Sequence, residues 1–307
     1  MRRGSITNGM RTLTGLGLVA VAGLLPTLSG CGAGRSLEYA IDVREQAPAL
    51  ALHVDNFRGD IEVRVYPDLE RARIRSNVRV TGDVATDDQP EALDAIDVVA
   101  RIEDGPGGRQ TLRIASTSDR LATPDNLARI LVQMPRCDGL YIKNFDGNVE
   151  LVGVGGSMYV ENHAGSIELR TNEVLDEPVT LLNTDGNIFV QMPKESSAFV
   201  DAESLNGKVF YRGHLGSTTR NHMTSTHTGQ HFTGSLNGGE HRLTARTNAG
   251  HIRMYVMEEP TEYARLMTAW PNSPFDYTFL QGSRRHTRNL PDDHPEVIGP
   301  PDYEGYE

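Results

Sequence analysis

A short segment of Asn, Ser or Thr, two intervening residues and Gly recurs along this chain, and that recurrence restricts the fold more than any other feature. The copies are IKNFDGNVEL (142–151), VENHAGSIEL (160–169), LLNTDGNIFV (181–190), AESLNGKVFY (202–211), TSTHTGQHFT (224–233) and ARTNAGHIRM (245–254). Their turn glycines, Gly147, Gly165, Gly186, Gly207, Gly229 and Gly250, lie 18, 21, 21, 22 and 21 residues apart. So constant a step marks a stacked architecture in which each copy is one structural unit.

Columns counted from the glycine give each position a physical role. Five before it stand Ile142, Val160, Leu181, Ala202, Thr224 and Ala245; two after it stand Val149, Ile167, Ile188, Val209, His231 and Ile252. Four after it stand Leu151, Leu169, Val190, Tyr211, Thr233 and Met254. Apolar positions at period two describe strands with one buried face. Three before it stand Asn144, Asn162, Asn183, Ser204, Thr226 and Thr247, small polar side chains that bond backbone at a bend and would stack as a structural ladder. The glycine supplies the positive φ that such a bend requires.

An Asn-x-Asp-Gly segment between strands also suits a hairpin, so an antiparallel meander competes. The recurrence favours a solenoid, in which like stacks on like at about 4.8 Å and six turns span roughly 25 Å. The expected fold is all-β: a right-handed parallel β-solenoid of about 21-residue turns. In the fifth copy His231 and Thr233 fall at inward positions, so that rung is expected to be distorted or polar inside. A seventh match, VDNFRGDIEV (54–63), opens a β-rich amino-terminal portion, 37–139, expected to cap the array of residues 140–257. Residues 258–283, with a short helix near 261–268 and the aromatics Trp270, Phe275, Tyr277 and Phe279, read as a carboxy-terminal cap. Residues 284–307 read as a disordered acidic, proline-rich tail.

The amino terminus sets the location. Arg2, Arg3 and Arg11 precede an apolar run from Leu13 to Leu25, too short to span a bilayer but suited to a signal peptide over residues 1–30. Leu28-Ser29-Gly30-Cys31 follows and resembles the lipobox of bacterial lipoproteins, which implies a mature protein that starts at an acylated Cys31 with a short tether, 31–36. Two or more acyl chains anchor stably where one is marginal. Cys137 is then left without an intramolecular partner, a small core residue more than a reactive thiol. The chain carries 30 basic against 41 acidic side chains; removing the first thirty residues leaves 27 against 41. That balance argues against nucleic acid and anionic lipid as partners.

The parts in this order resemble the bacterial putative-adhesin family of unknown function, over about residues 50–257. The telling stretch is Ile130-Leu131-Val132-Gln133-Met134-Pro135 followed by Leu140-Tyr141-Ile142-Lys143-Asn144-Phe145-Asp146-Gly147. The resemblance implies a β-solenoid of Asn/Thr-x-x-Gly-x-Ile/Val-x-Val turns and brings no catalytic residues. The shortened first step and the histidine-rich fifth turn depart from the pattern.

No Gly-x-Ser-x-Gly elbow, P-loop, Rossmann fingerprint or His-Glu-x-x-His sequence occurs. Glu150 and Glu168 share an outward column, the pairing that a carbohydrate-active β-helix enzyme would need, although solvated acids explain it as well. His214, His222, His227, His231, His241 and His251 cluster in sequence and raise a metal site, with His227, His231 and His251 as the weak candidates. Strand residues four apart lie about 13 Å apart, which argues against pairing His227 with His231 on one ion. Phe189, Phe210 and Phe232, three after successive glycines, form the candidate ligand stripe, unless the 270–279 aromatics cover it. The expected protein is a non-catalytic, lipid-anchored envelope module that binds a glycan or protein, with no cofactor. A lyase or hydrolase and a histidine-rich metal-binding protein are the alternatives.

Overall fold

The computed structural model describes residues 34–42, 49–80, 93–105, 108–118, 126–213 and 218–261. Cys31 with its lipobox, most of the 258–283 segment and the 284–307 tail lie outside the described residues. Within them the chain is all-β. The amino-terminal strands are β1 (Gly34–Asp42), β2 (Leu50–Asn56), β3 (Ile61–Val65), β4 (Arg71–Val80), β5 (Ile96–Asp104), β6 (Gln110–Ser118) and β7 (Asn126–Met134). The repeats supply β8 (Asp138–Asp146), β9 (Val149–Val152), β10 (Gly155–Ala164), β11 (Ile167–Arg170), β12 (Val179–Asp185) and β13 (Ile188–Pro193). They continue with β14 (Ala198–Asn206), β15 (Val209–Arg212), β16 (Thr218–Ser225), β17 (Gln230–Leu236), β18 (Arg242–Ala249) and β19 (Ile252–Met257).

Two large mixed sheets result. One has nine strands, ordered β1-β4-β7-β3-β9-β11-β13-β19-β15; the other has ten, ordered β16-β17-β14-β18-β12-β10-β8-β2-β6-β5. The bend at each turn glycine except Gly229 sends the strand before it to the ten-stranded sheet and the strand after it to the nine-stranded sheet. One copy of the repeat is therefore one rung of both. The core lies between: Ile142, Val160, Leu181, Ala245 and Ala202 from one sheet face Val149, Ile167, Ile188, Ile252 and Val209 from the other, all buried. Fully burying a branched aliphatic side chain contributes about 1.5–3 kcal/mol, so the stacked columns hold the sheets together.

Three features differ from the sequence expectation. The upstream copy at 54–63 is itself a rung, with Val54 opposite Ile142 and Ile61 opposite Val149, so it extends the stack instead of merely covering it. Rung order also departs from chain order: Asn183 pairs with Thr247, and Thr247 with Ser204, so the last copy inserts between the third and fourth. The fifth copy makes no parallel rung. β16 and β17 form an antiparallel hairpin whose β17 pairs antiparallel with β14. Antiparallel pairing shifts its alternation by one residue, so Phe232 and Leu236 are buried while His231 and Thr233 face outward. The expectation of inward His231 and Thr233 is corrected on that ground. At the opposite end β1 closes the stack, with the Arg35 guanidinium donating to the Ile96 carbonyl at 2.7 Å and the Tyr39 hydroxyl to the Val98 carbonyl at 2.8 Å.

Candidate binding faces

The bends are built by two interlocked columns. Four ladder side chains donate to the glycine carbonyl of the adjacent rung: Asn162 to Gly147 at 3.0 Å, Asn183 to Gly165 at 2.7 Å, Thr247 to Gly186 at 2.8 Å and Ser204 to Gly250 at 2.6 Å, while Asn144 donates to its own Gly147 at 3.3 Å. Asn56 donates to the Asn144 side-chain oxygen at 3.0 Å, Asn144 to that of Asn162 at 3.1 Å, and Ser116 closes the row onto Asn56. Thr226 stands apart: in the hairpin it bonds Gly229 within its own turn. The glycine column is as tight. Gly186 has φ +137°, and a Cβ there would overlap the Gly165 carbonyl oxygen; a Cβ on Gly207 would overlap that of Gly250. Glycine is required by close approach even at Gly207, where no unusual φ is present.

These bends fix where the outward side chains stand, and the three phenylalanines do not form one stripe. Phe189 and Phe210 both lie opposite Arg253, because β19 runs between β13 and β15. Phe232 belongs to the other sheet and points into the core, 4 % exposed, with its ring stacked on Tyr211 at 4.6 Å. Phe189 is 8 % exposed and Phe210 43 %. What remains outward is a small group in which the Arg253 guanidinium sits 5.2 Å from the Phe210 ring centre and the His251 ring 6.3 Å from it. Burial lowers the Arg253 pKa from its ordinary value, and burial followed by the charges of Arg253 and Lys208 lowers that of His251.

The candidate metal ligands are not brought together either. His227 is exposed in the hairpin turn, and His231 pairs with Asp201 at 2.8 Å, which Arg246 also holds with two contacts of 2.9 Å. His251 sits at a bend, where its Nδ1 accepts from the Lys208 backbone N–H at 3.0 Å. Among the described residues no three His, Cys, Asp or Glu side chains converge as a metal site. Glu150 and Glu168 are adjacent in register, but Arg64 reaches Glu150 at 3.2 Å and Arg170 contacts Glu168, so each carboxylate faces a guanidinium. Cys137 is buried, its thiol 3.4 Å from the Gly139 carbonyl oxygen, and burial pushes its pKa up to about 12, which suits a core residue.

The ten-stranded sheet carries an outward row that the sequence columns above did not include. Six residues before Gly59, Gly147 and Gly165 stand His53, Tyr141 and Tyr159, on adjacent strands β2, β8 and β10. Their rings follow one another at 4.6 Å and 5.1 Å, the strand spacing read out in side chains. Beside them Lys143 lies 3.7 Å from Glu161, which also accepts from the Tyr159 hydroxyl at 3.0 Å. Phe145, 54 % exposed, stacks on His163 at 4.8 Å near the bends. The column at minus six is legible in the repeat, but it points outward, away from the period-two core positions.

Residues 136–254 match the family model described as Toastrack DUF4097. The match spans less than half of the chain. A putative cell adhesion protein from Clostridium sporogenes is similar in structure, with a TM-score of 0.50 at 10 % identity over 72 % of this chain and 99 % of that one. A putative adhesin from Bacteroides fragilis aligns with a TM-score of 0.26 at 9 % identity over 72 % of this chain and 96 % of that one. No curated protein matches the chain. The first likeness bears on the fold, a β-rich stack of this kind, and reaches no further at that identity.

Proposed function

We propose that this protein is a non-catalytic, adhesin-like binding module of the bacterial cell envelope, held to a membrane through lipid on Cys31 and offering the outer face of its ten-stranded sheet to an extended envelope glycan or protein. The observation that carries this reading is the continuous outward row His53, Tyr141 and Tyr159 with Lys143 and Glu161 beside it, set on a two-sheet stack. Aromatic rings and paired charges in line, repeated at the strand spacing, suit a partner that is itself extended. A right-handed parallel wind through residues 140–190, with signal peptide and tether before it, belongs to the same reading, as does an outer-membrane or periplasmic location. The Toastrack match and the similarity to a cell adhesion protein are consistent with it.

The test is a binding isotherm of the protein on isolated envelope polymers, with new reducing ends counted in the same tubes. Saturable binding without new ends, weakened about tenfold by Tyr141→Ser together with Tyr159→Ser, is the expected result, since aromatic anchors carry much of an interface. New reducing ends would replace the reading with a carbohydrate-active enzyme. Cys31→Ser is expected to move the protein out of the membrane fraction.

A further inference from the structure

The acidic balance of the whole chain conceals one basic face. Along β4 the alternation places Arg71, Arg73, Arg75 and Arg79 outward, all exposed, while Ala72, Ile74, Val78 and Val80 enter the core. On the strands beside it the same face of the nine-stranded sheet adds Arg129 and Arg64. Against these six arginines stand Glu38, Glu62 and Glu150, and Asp42 lies opposite Arg71 in register. Arg75 pairs with Glu38 at 2.6 Å, Arg129 with Glu62 at 3.5 Å and Arg64 with Glu150 at 3.2 Å. Among the described residues no carboxylate engages Arg73 or Arg79.

We propose that this face of β4, with Arg73 and Arg79 at its centre and Arg129 beside them, seats the protein on a bilayer that contains anionic phospholipid. The proposal rests on the anchoring of Cys31. Gly34, the first residue of β1, lies opposite Arg79. Two residues, Gly32 and Ala33, separate it from Cys31, so the three extended steps of chain can hold it no more than about 11 Å from the lipidated residue. That is about one Debye length at physiological ionic strength, where guanidinium groups feel the field of anionic headgroups. Arginine suits phosphate because its planar fork donates twice to one group. The excess of acid elsewhere on the chain is repelled by the same surface, which turns the molecule so that this face is down and the aromatic row of the other sheet is free. Total charge argued against an anionic lipid partner; the period-two alternation of a single strand overrides it locally.

The experiment uses the lipidated protein in vesicles of phosphatidylcholine, with and without phosphatidylglycerol, labelled at Ser36→Cys and read by a headgroup quencher. Ser36 lies opposite Asn77 on the same face, and buried Cys137 stays unlabelled. Quenching is expected to be at least about threefold stronger in the anionic vesicles, and to fall to the neutral level near 1 M salt, where the Debye length is about 3 Å. Arg73→Gln with Arg79→Gln is expected to abolish the difference and Arg73→Lys with Arg79→Lys to keep most of it. A label at Leu205→Cys, at the far end of the stack, is expected to show no difference. Equal quenching in both vesicle types, or a difference that survives the Gln pair, overturns the proposal. Failure of the anchor shows separately, as an amino-terminal peptide without acyl mass. The face is then judged by flotation of the same unlipidated chain with the anionic vesicles: salt-sensitive, Arg73- and Arg79-dependent binding supports it and no binding overturns it.

Discussion

The rungs at 142–151, 160–169 and 181–190 stack in chain order, and each ladder asparagine reaches the neighbouring rung. At the other end of the stack the copy at 202–211 is displaced by one place, the copy at 245–254 fills the gap, and the copy between them becomes a hairpin. The same motif is present in both regions, so the motif alone does not decide rung order. The inward columns differ: the first three rungs offer Ile, Val and Leu before the bend, whereas the last two offer Ala202 and Ala245, and the hairpin offers Phe232. Phe232 stacked on Tyr211 closes the end of the core, which leaves β18 to pair on the inner side of β14.

The largest expected effect breaks the regular region. Gly186→Ala meets both an unfavourable φ and the Gly165 carbonyl in mid-stack, and is expected to cost about 3–5 kcal/mol or to prevent folding. Gly238→Ala, at φ +69° in a hairpin-end turn with no atom within 4 Å of the new Cβ, is expected to cost only about 1 kcal/mol. Denaturant midpoints of the two variants compare a stacked glycine with a merely permissive one. Equal losses would mean that rung contact at Gly186 is unimportant.

The next comparison lies within the phenylalanine set. Phe232→Ala removes the ring that closes the core and is expected to cost about 3 kcal/mol; Phe210→Ser, half exposed against Arg253, is expected to cost about 1 kcal/mol or less. The reverse ranking, in thermal or denaturant unfolding, would place Phe210 and not Phe232 in the closing contact. Below the loss at Phe232 comes that at the ladder: Asn162→Ala leaves the Gly147 carbonyl and the Asn144 amide short of a partner at a buried site, for about 1–3 kcal/mol. Thr226→Ala loses only bonds within its own exposed turn, for about 0.5 kcal/mol.

These pairs also mark what the sequence could and could not disclose. The bend, its glycine and its polar ladder were legible, because each copy repeats the local chemistry that makes one rung. Rung order was not, since Ser204 and Thr247 are both small hydroxyl side chains at the same offset from their glycines, and the structure sets Thr247 beside Asn183 while β14 pairs with the hairpin on its other side. Phe189, Phe210 and Phe232 read as a stripe because equal offset from a glycine means equal direction only while every copy is parallel; β17 breaks that condition. The aromatic row at His53, Tyr141 and Tyr159 was present in the columns but unread. The arginines of β4 lie outside the repeat, and a net charge summed over the chain hides a face one strand wide.

The smallest expected effect belongs to the bend at His251, in the displaced region. Its Nδ1 accepts from the Lys208 N–H, which only the neutral ring can do, and burial with the nearby Arg253 and Lys208 charges lowers its pKa below the ordinary 6.5. The unfolded chain therefore binds a proton here at a higher pH than the folded one does. Stability from this group is complete above about pH 6.5 and declines as pH falls through the lower folded value. The ring is partly exposed, so screening holds the effect to a few tenths of a kcal/mol. His251→Asn keeps an acceptor oxygen near the Nδ1 position and removes the titration. The difference in denaturant midpoint between wild type and this variant is expected to shift against the wild type between pH 7.5 and pH 5. A constant difference would mean that the bond to Lys208 does not depend on the neutral ring, and that the inserted rung is held at this bend by the Gly250 and Thr247 contacts alone.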